Sequence, residues 1–263
     1  MTNDLYKVPT IADMVAKGEF PDVLFWVGCA GAFDDKYKKV IKSLVKILNK
    51  ANVSFAVLGP EETCTGDPAR RAGNEFLFQM QAQSNIQVLN GYGVKKIVAS
   101  CPHCFNTLKN EYPDLGGKYE VTHHTELLQS LIDEGKLSLE GGHFKGKKIA
   151  YHDSCYLGRA NEVYEAPRKT LASIDTNLVE MKRNKRTGLC CGAGGSQMFK
   201  EPEKGDKTIN VERTEEALST GADVVATGCP FCKIMLTDGM KAKNREEVQV
   251  MDITEVIAKE EGL

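Results

Sequence analysis

The sequence predicts an α/β fold made of two tandem repeats, each a mainly parallel sheet with flanking helices. Three observations lead to this prediction. The nine cysteines form two sets that repeat at an interval of 126 to 128 residues. Apolar runs typical of buried parallel strands alternate with segments of helical periodicity. Each group of cysteines follows a predicted strand, at the sheet edge where ligands collect in such folds.

The cysteine repeat places a domain boundary near residue 142. The first set has two single cysteines and a Cys-x-x-Cys pair, and the second has a single cysteine, a double cysteine and another such pair. In order, the nine are Cys29, Cys64, Cys101, Cys104, Cys155, Cys190, Cys191, Cys229 and Cys232. We therefore expect a first domain of residues 1–141, with a helical lead-in, and a second of residues 142–263. Each is long enough to bury its own core.

The first half alternates strands with helices. Thr10 and Asp13 are typical of the start of a short helix, which would end before Gly18. Strands are predicted at residues 23–27, 54–58, 94–99 and 119–122, and helices at 35–50 and 73–91. Thr125 and Glu126 indicate a capping box for a further helix through residue 135.

The second half repeats this plan. Strands are predicted at residues 148–151, 177–181, 222–226 and 248–251, and Thr254 corresponds to Thr125. Pro102 and Pro230 follow the first cysteine of each Cys-x-x-Cys pair, where proline favours the first turn of a helix. The order of elements indicates two Rossmann-like, doubly wound domains.

The composition is that of a globular protein in a reducing compartment. Hydrophobic residues make up 41% and charged residues 27%, and the net charge of −2 gives no support for a nucleic-acid partner. The N-terminus has no apolar signal segment, and no run approaches about eighteen apolar residues, so direct membrane insertion is not expected. We expect a cytoplasmic protein, whose patterned cysteines bind metal rather than form disulfides.

The cysteines fit either iron–sulfur clusters or zinc. Both are bound by four thiolates, but structural zinc sites usually pair two Cys-x-x-Cys knuckles close in sequence. This chain combines one such pair with distant cysteines in each half, and the second half has one thiolate more than tetrahedral zinc can use. A zinc-stabilised interaction protein without redox function remains the alternative.

The residues resemble the tandem CCG-domain proteins. Cys155, the Cys190-Cys191-Gly192 triplet and the Cys229 pair match the family pattern, and the resemblance covers nearly the whole chain. The family includes the catalytic subunit of heterodisulfide reductase and the iron–sulfur subunits of complexes that oxidise glycolate, lactate and glycerol 3-phosphate. The first half departs from the pattern, because Thr65 stands where the family has its second adjacent cysteine.

The resemblance implies an iron–sulfur subunit of an oxidoreductase complex. It would move electrons between partner subunits and a thiol, disulfide or 2-hydroxy acid pathway, and would be inactive without those partners. All nine cysteines are then metal ligands, and Cys190 and Cys191 are the candidate catalytic residues. The second site would hold a [4Fe-4S] cluster of cubane or non-cubane type, and the first a cubane cluster or zinc.

The partners implied are ferredoxin-like or flavoprotein subunits, because the chain has neither a compact ferredoxin motif nor a nucleotide-binding Gly-x-Gly-x-x-Gly. A membrane partner can recruit such a complex. Gly192, Gly194 and Gly195 would let the backbone approach a cluster and donate N–H groups to its sulfurs.

Four polar residues near the cysteines have open roles. His103 and His152 are candidates for ligand or proton donor, although a structural histidine is the plainer interpretation. Arg70 and Arg71 follow Cys64, and we expect them to form a solvated helix start.

Overall fold

The computed structural model describes residues 6–201 and 204–263, and this part of the chain contains two four-stranded sheets. The first consists of β1 (Val23–Trp26), β2 (Phe55–Ala56), β3 (Lys96–Ala99) and β4 (Glu120–His123), in the order β2-β1-β3-β4. The second consists of β5 (Lys148–His152), β6 (Asn177–Val179), β7 (Val224–Thr227) and β8 (Gln249–Asp252), in the order β6-β5-β7-β8. All pairings are parallel, which confirms the predicted fold class.

Helices connect these strands and cover both faces of each sheet. In the described residues they are α1 (Ile11–Ala16), α2 (Gly28–Phe33), α3 (Tyr37–Lys50), α4 (Asp67–Arg71), α5 (Glu75–Gly91), α6 (Pro102–Asn106), α7 (His124–Asp133), α8 (Glu165–Ala172), α9 (Ile209–Ser219), α10 (Pro230–Ala242) and α11 (Ile253–Glu260). None of the described helices is both long and apolar enough to cross a membrane.

The predicted lead-in helix is present as α1. The Thr10 side chain accepts a hydrogen bond from the Asp13 backbone N–H at 3.1 Å, which satisfies one of the free donors at the helix start. The Ile11 N–H donates to the Val57 carbonyl at 2.9 Å, and Ile11 is buried. The segment therefore closes the outer edge of the first sheet beside β2.

The cap of α7 differs from the prediction. His123, not Thr125, is the N-cap residue: its imidazole accepts from the Thr125 N–H, and Glu126 accepts from the His123 N–H at 3.0 Å. In the second repeat Asp252 does the same for α11. Histidine is not among the preferred capping residues, so the sequence motif pointed to Thr125, two residues after the actual N-cap.

The predicted helix at residues 35–50 is shorter, and an unpredicted helix precedes it. Helix α3 begins at Tyr37, where the Tyr37 N–H donates to the Asp34 side chain at 2.7 Å. Helix α2 begins at Gly28, whose φ of +74° suits glycine, and carries Cys29 in its first turn. The first cysteine therefore lies on a helix that directly follows β1.

One apolar cluster spans both repeats. It includes Phe25 and Val98 from the first sheet and Tyr151 and Ala226 from the second, all at most 1% exposed. Helices α3 and α11 pack against each other, as do α7 and α8. The two repeats thus share a core, although the boundary between residues 141 and 142 stays a prediction.

A buried polar contact also joins the repeats. The Nε2 atom of His124 lies 3.1 Å from Oδ1 of Asp252, and both side chains are fully buried. The Tyr37 hydroxyl donates to the Ser100 carbonyl at 3.0 Å and lies 3.4 Å from the other Asp252 oxygen. Ser100 precedes Cys101, so this network lies beside the cysteines.

Candidate metal centres

The strand ends bring the first set of cysteines together. Cys29 follows β1, and Cys101 and Cys104 begin α6 after the adjacent strand β3. The thiols of Cys29 and Cys64 are near enough to shift each other's pKa, as are those of Cys101 and Cys104. Four of the predicted ligands therefore form one cluster of side chains in the first repeat.

The second set forms a continuous chain of thiols. Neighbouring thiols shift each other's pKa along this chain, from Cys155 to Cys190, Cys191, Cys232 and Cys229 in turn. Cys191, Cys229 and Cys232 are each at most 4% exposed. Five thiols therefore converge here, against four in the first site.

The two sites meet at the boundary between the repeats. Cys101 and Cys229, the equivalent residues of the two Cys-x-x-Cys pairs, are near enough for each to shift the pKa of the other. Each is the N-cap residue of a helix whose first residue is the predicted proline, Pro102 or Pro230. The helix N-termini place positive dipole ends at these sulfurs, which favours thiolate and cluster charge.

Thr65 takes part in the first site without being a cysteine. Its hydroxyl donates to Cys104 Sγ at 3.8 Å, and Thr65 is 1% exposed. The sulfur of Cys191, its counterpart, lies within 4.8 Å of that of Cys232. The threonine thus preserves the geometry of the double cysteine and removes one thiolate.

The pKa is lowered for two thiols of the first site, Cys64 and Cys101, and for Cys190 in the second. The hydrogen bond with Cys29 lowers the pKa of Cys64 to about 7. Hydrogen bonds from Cys155 and Cys191, with the Gly192 and Gly194 amides, hold the pKa of Cys190 well below its usual range. Cys64 and Cys190 are equivalent in the repeat, and the thiolate is the form that binds metal.

The predicted glycine run is only partly at the site. The Gly192 N–H donates to Cys190 Sγ at 3.3 Å, and Gly192 has a φ of +94°. The Gly194 amide also donates to Cys190. Gly195 has a φ of +65° and open space around it. Its backbone conformation therefore favours glycine, and no close contact with a neighbour does.

A carboxylate ties the cysteine loops together in each repeat. Glu62 accepts the N–H groups of Val27, at 3.0 Å, and Gly28, next to Cys29. Asp153, near Cys155, accepts from the Lys185 N–H at 2.7 Å. Burial raises the pKa of Glu62 to about 7. Neither residue could be recognised from the sequence, because isolated acids carry no motif.

Arg70 and Arg71 do not form a solvated helix start. Both pair with Glu111, and Arg71 also donates to the 3%-exposed Asp67 at 3.0 Å. The other Asp67 oxygen lies 2.9 Å from His103 Nδ1. The solvated interpretation was wrong because Glu111, the acid that both arginines share, comes from a segment 40 or more residues further along the chain.

His103 lies between the repeats. Its ring packs on Tyr156, with centroids 4.3 Å apart, and on Phe231, its own counterpart in the second repeat, at 5.2 Å. Asp67 contacts the Nδ1 atom of His103 and so fixes the ring in this position between the first site and the second repeat.

His152 lies at the end of β5, inside the second site. One of its ring nitrogens is within 4.8 Å of the sulfurs of Cys191 and Cys232. Its Nδ1 accepts a hydrogen bond from Arg213 Nε at 2.9 Å. Burial and then the Arg213 charge lower the pKa of His152 to about 3. Arg213 comes from α9 and could not be recognised from the sequence as part of the site.

The donor sets fit iron–sulfur clusters. Thiolates are soft ligands, and backbone N–H groups already point at one of the sulfurs. The thiols of the second site contact one another in a chain and are largely buried. A tetrahedral zinc ion would leave one of these five thiols unused.

Comparison with known proteins gives one family. The family model of CCG, a cysteine-rich domain, matches residues 23–109 and 149–237, which include all nine cysteines. The chain is 49% identical over 254 residues to the probable iron-sulfur-binding oxidoreductase FadF of Bacillus subtilis, a match that covers 96% of this chain and 36% of FadF.

Two further relatives are named as an oxidoreductase and a reductase subunit. The chain is 47% identical over 245 residues to EtfAB:quinone oxidoreductase of Syntrophomonas wolfei, covering 90% of this chain and 34% of that protein. It is 36% identical over 249 residues to one subunit of the dihydromethanophenazine:CoB–CoM heterodisulfide reductase of Methanosarcina barkeri, covering 92% of this chain and 59% of that subunit. The chain thus spans about a third of the length of the first two relatives.

Proposed function

Because this chain belongs to the CCG family of cysteine-rich domains, we propose that it is an iron–sulfur electron-transfer subunit of an oxidoreductase. One observation carries the proposal: the two sets of thiols adjoin at the buried Cys101 and Cys229, which are near enough for each to shift the pKa of the other. A structural metal site needs no such neighbour, whereas electron transfer between two centres requires them to be close.

The ligands divide between the two sites. Cys29, Cys64, Cys101 and Cys104 would hold the first group, and Cys155, Cys190, Cys191, Cys229 and Cys232 the second. A bound [4Fe-4S] cluster supplies one-electron transfer. The chain's own contribution is to exclude water from the thiolates and to donate N–H groups to them, as Gly192 does for Cys190.

The two sites differ in their proposed roles. The fifth thiol of the second site gives it one more ligand than a cubane cluster uses, so Cys190 or Cys191 is free to exchange. We assign the reaction to this site, and electron relay to the first site. The first group is a cubane cluster or, if the first half is structural, zinc.

The substrate class that suits these thiols is a small thiol or disulfide, or an electron carrier that serves a 2-hydroxy acid pathway. Ferredoxin-like or flavoprotein subunits would supply or remove electrons. A reducing compartment such as the cytoplasm remains the prediction for chemistry that needs nine unpaired cysteines.

The proposal is tested by metal analysis after anaerobic purification. Iron, acid-labile sulfide and zinc are counted, and EPR spectra are recorded for oxidised and reduced samples. About eight irons per chain support two four-iron clusters, and about four irons with one zinc make the first half structural.

Two matched variants assign the metal to its site. Cys104→Ser is expected to lose the metal of the first site alone, and Cys232→Ser that of the second alone. Stoichiometric zinc without iron or sulfide, in protein never exposed to oxygen, would reject electron transfer and favour the zinc-stabilised interaction protein.

A further inference from the structure

We propose that His152 is a fixed N–H donor to the sulfurs of the second site, held in that tautomer by Arg213, and that it is not a metal ligand. The inference rests on the proposed function, because it concerns the group that the second site holds. It assigns a positioning role to Arg213 and a tuning role to His152.

His152 is placed to reach the sulfurs. It is the last residue of β5, is paired in register with Thr227 of β7, and is 0% exposed. Thr227 lies two residues before Cys229. A ring nitrogen of His152 lies within 4.8 Å of Cys191 Sγ and Cys232 Sγ. Its ring is therefore part of the wall of the second site.

Arg213 determines which ring nitrogen carries hydrogen. A guanidinium group has only donors, and Arg213 Nε donates to His152 Nδ1 at 2.9 Å. Nδ1 must therefore present its lone pair. In a neutral imidazole the hydrogen then resides on Nε2. Nε2 is buried and has no hydrogen-bond partner within the described residues, which is costly for an N–H group unless a further acceptor is present.

The same geometry argues against a ligand. Metal binding through Nε2 would need a lone pair on that atom, and the hydrogen would have to move to Nδ1. There it would face the Arg213 N–H, two donors opposed at hydrogen-bonding distance. Arg213 is itself fixed, since it is 0% exposed and donates to the Arg183 carbonyl at 2.8 Å.

The first repeat supports this interpretation independently. Trp26 ends β1 and pairs with Ala99, so it occupies the position equivalent to His152. Its indole N–H is likewise buried and unpartnered within the residues that the structure describes. An indole can donate but cannot ligate a metal. In both repeats, a ring N–H group therefore lies at the end of the first strand. Neither group has an acceptor within the described part of the chain.

An N–H donor changes the redox behaviour of a cluster. Hydrogen bonds to the sulfurs stabilise the more negative, reduced state, so they raise the reduction potential. Loss of the His152 donor should shift the potential of the second site downward and leave its iron in place.

The first test uses the wild-type protein with all clusters loaded. Protein labelled with ¹⁵N-histidine is reduced and studied by pulsed EPR in H₂O and D₂O. We expect only weak ¹⁵N coupling to the second-site signal, and one coupled exchangeable proton in addition to those of the Gly192 and Gly194 amides. Strong ¹⁵N coupling, typical of direct ligation, would overturn the proposal, as would the absence of that additional proton.

The second test measures the midpoint potential of the second-site signal. His152→Gln retains an acceptor for Arg213 and a donor for the sulfurs, so it should stay near the wild-type potential. The double variant His152→Leu with Arg213→Met removes donor and buried charge together and should lower the potential with full iron content. An unchanged potential in the double variant, or loss of second-site iron only when His152 is replaced, would reject the donor role.

Trp26→Phe is the matched control in the other repeat. It should leave the second-site potential unchanged, and a downward shift equal to that of the double variant would mean that lost packing causes the effect. If wild-type protein holds no iron, the proposed function itself fails. If iron is present and the potentials do not respond, only the role of His152 fails.

Discussion

Thr65 separates the chemistry of the two sites at the scale of one residue. Its hydroxyl occupies the place of the Cys191 thiol and makes the equivalent contact, to Cys104. A threonine hydroxyl donates a hydrogen bond but does not deprotonate to bind iron. The first site therefore keeps its shape with four thiolates.

Restoring the missing thiol should convert one site toward the other. We expect Thr65→Cys to retain wild-type iron content and to give the first-site EPR signal features of the second-site signal, because five thiols then converge there. Thr65→Ser, which keeps the hydroxyl, should retain the wild-type spectrum. Spectra of Thr65→Cys identical to wild type at full iron content would contradict the expectation.

Asp67 and His103 stabilise each other's charged forms. Burial pushes the pKa of Asp67 up, but hydrogen bonds from His103 and Arg71 outweigh it and hold the value below its usual range. Burial pushes the pKa of His103 down, and the Asp67 hydrogen bond with the Cys101 charge raises it above its usual range.

The pair should give a window of pH in which it stabilises the fold. Asp67 contributes above its unfolded pKa of 3.8, and this is lost as the pH falls through the lower folded value. His103 contributes below 6.5, and this is lost as the pH rises through its raised folded value. The free energy of unfolding of wild type should exceed that of Asp67→Asn by about 2 kcal/mol between those limits and by less on either side.

Urea unfolding at a series of pH values measures this difference. Asp175→Asn is the control, because Asp175 is 71% exposed in its pair with Lys145 and should give no comparable window. A difference for Asp67→Asn that stays constant across the acidic, neutral and alkaline ranges would argue against the ion pair.

At the scale of elements, a close helix crossing positions the second site. A Cβ at Gly239 of α10 would lie 2.0 Å from Thr214 Oγ1 and 3.0 Å from the Asn210 carbonyl, both on α9. Helix α9 carries Arg213, and α10 carries Cys232. The crossing therefore fixes the distance between the arginine and the cysteine site.

Gly239→Ala should lower the free energy of unfolding by about 1–3 kcal/mol, because the methyl group has no room. Gly91→Ala is the matched control: Gly91 ends α5 and has nothing within 4 Å of its Cβ position, so alanine should be neutral or stabilising by up to about 1 kcal/mol. Denaturant titrations give both values, and equal effects of the two changes would refute the steric argument.

Helix α8 anchors the cysteine loops through a buried ion pair. Arg168 donates to both oxygens of Asp153, at 2.8 and 2.9 Å, and also to Glu180. Arg168→Met should cost about 3–5 kcal/mol of unfolding free energy, because it leaves Asp153 buried without its partner. Lys145→Met, in an exposed pair, should cost less than about 0.5 kcal/mol. Calorimetric unfolding of the two variants measures both costs. Similar costs would contradict the role of burial.

Helices and strands were more predictable from the sequence than the side-chain contacts between them. Strands such as β3 and β7 were predictable because buried parallel strands are continuous apolar runs, and the cysteines at their ends followed from strand direction. The cap formed by His123 and the Arg213 contact with His152 were not predictable. Each depends on a partner or geometry that no local sequence pattern encodes.

At the scale of the whole molecule, the shared core should make both repeats unfold together. Trp26 is the only tryptophan of the chain, so its fluorescence reports the first repeat, whereas far-UV circular dichroism reports both. We expect coincident denaturant transitions by the two probes, and Gly239→Ala in the second repeat should shift the Trp26 transition as well. Separate transitions would show that the repeats are independent.

The buried pair of His124 and Asp252 also decides which halves can associate. In the repeat, His124 corresponds to Ile253, and Asp252 corresponds to His123. Two copies of the second half would place the Asp252 carboxylate against isoleucine, a buried charge with no counterion. Two copies of the first half would oppose two imidazoles with no acid between them. This contact therefore favours the pairing of unlike halves over that of like halves.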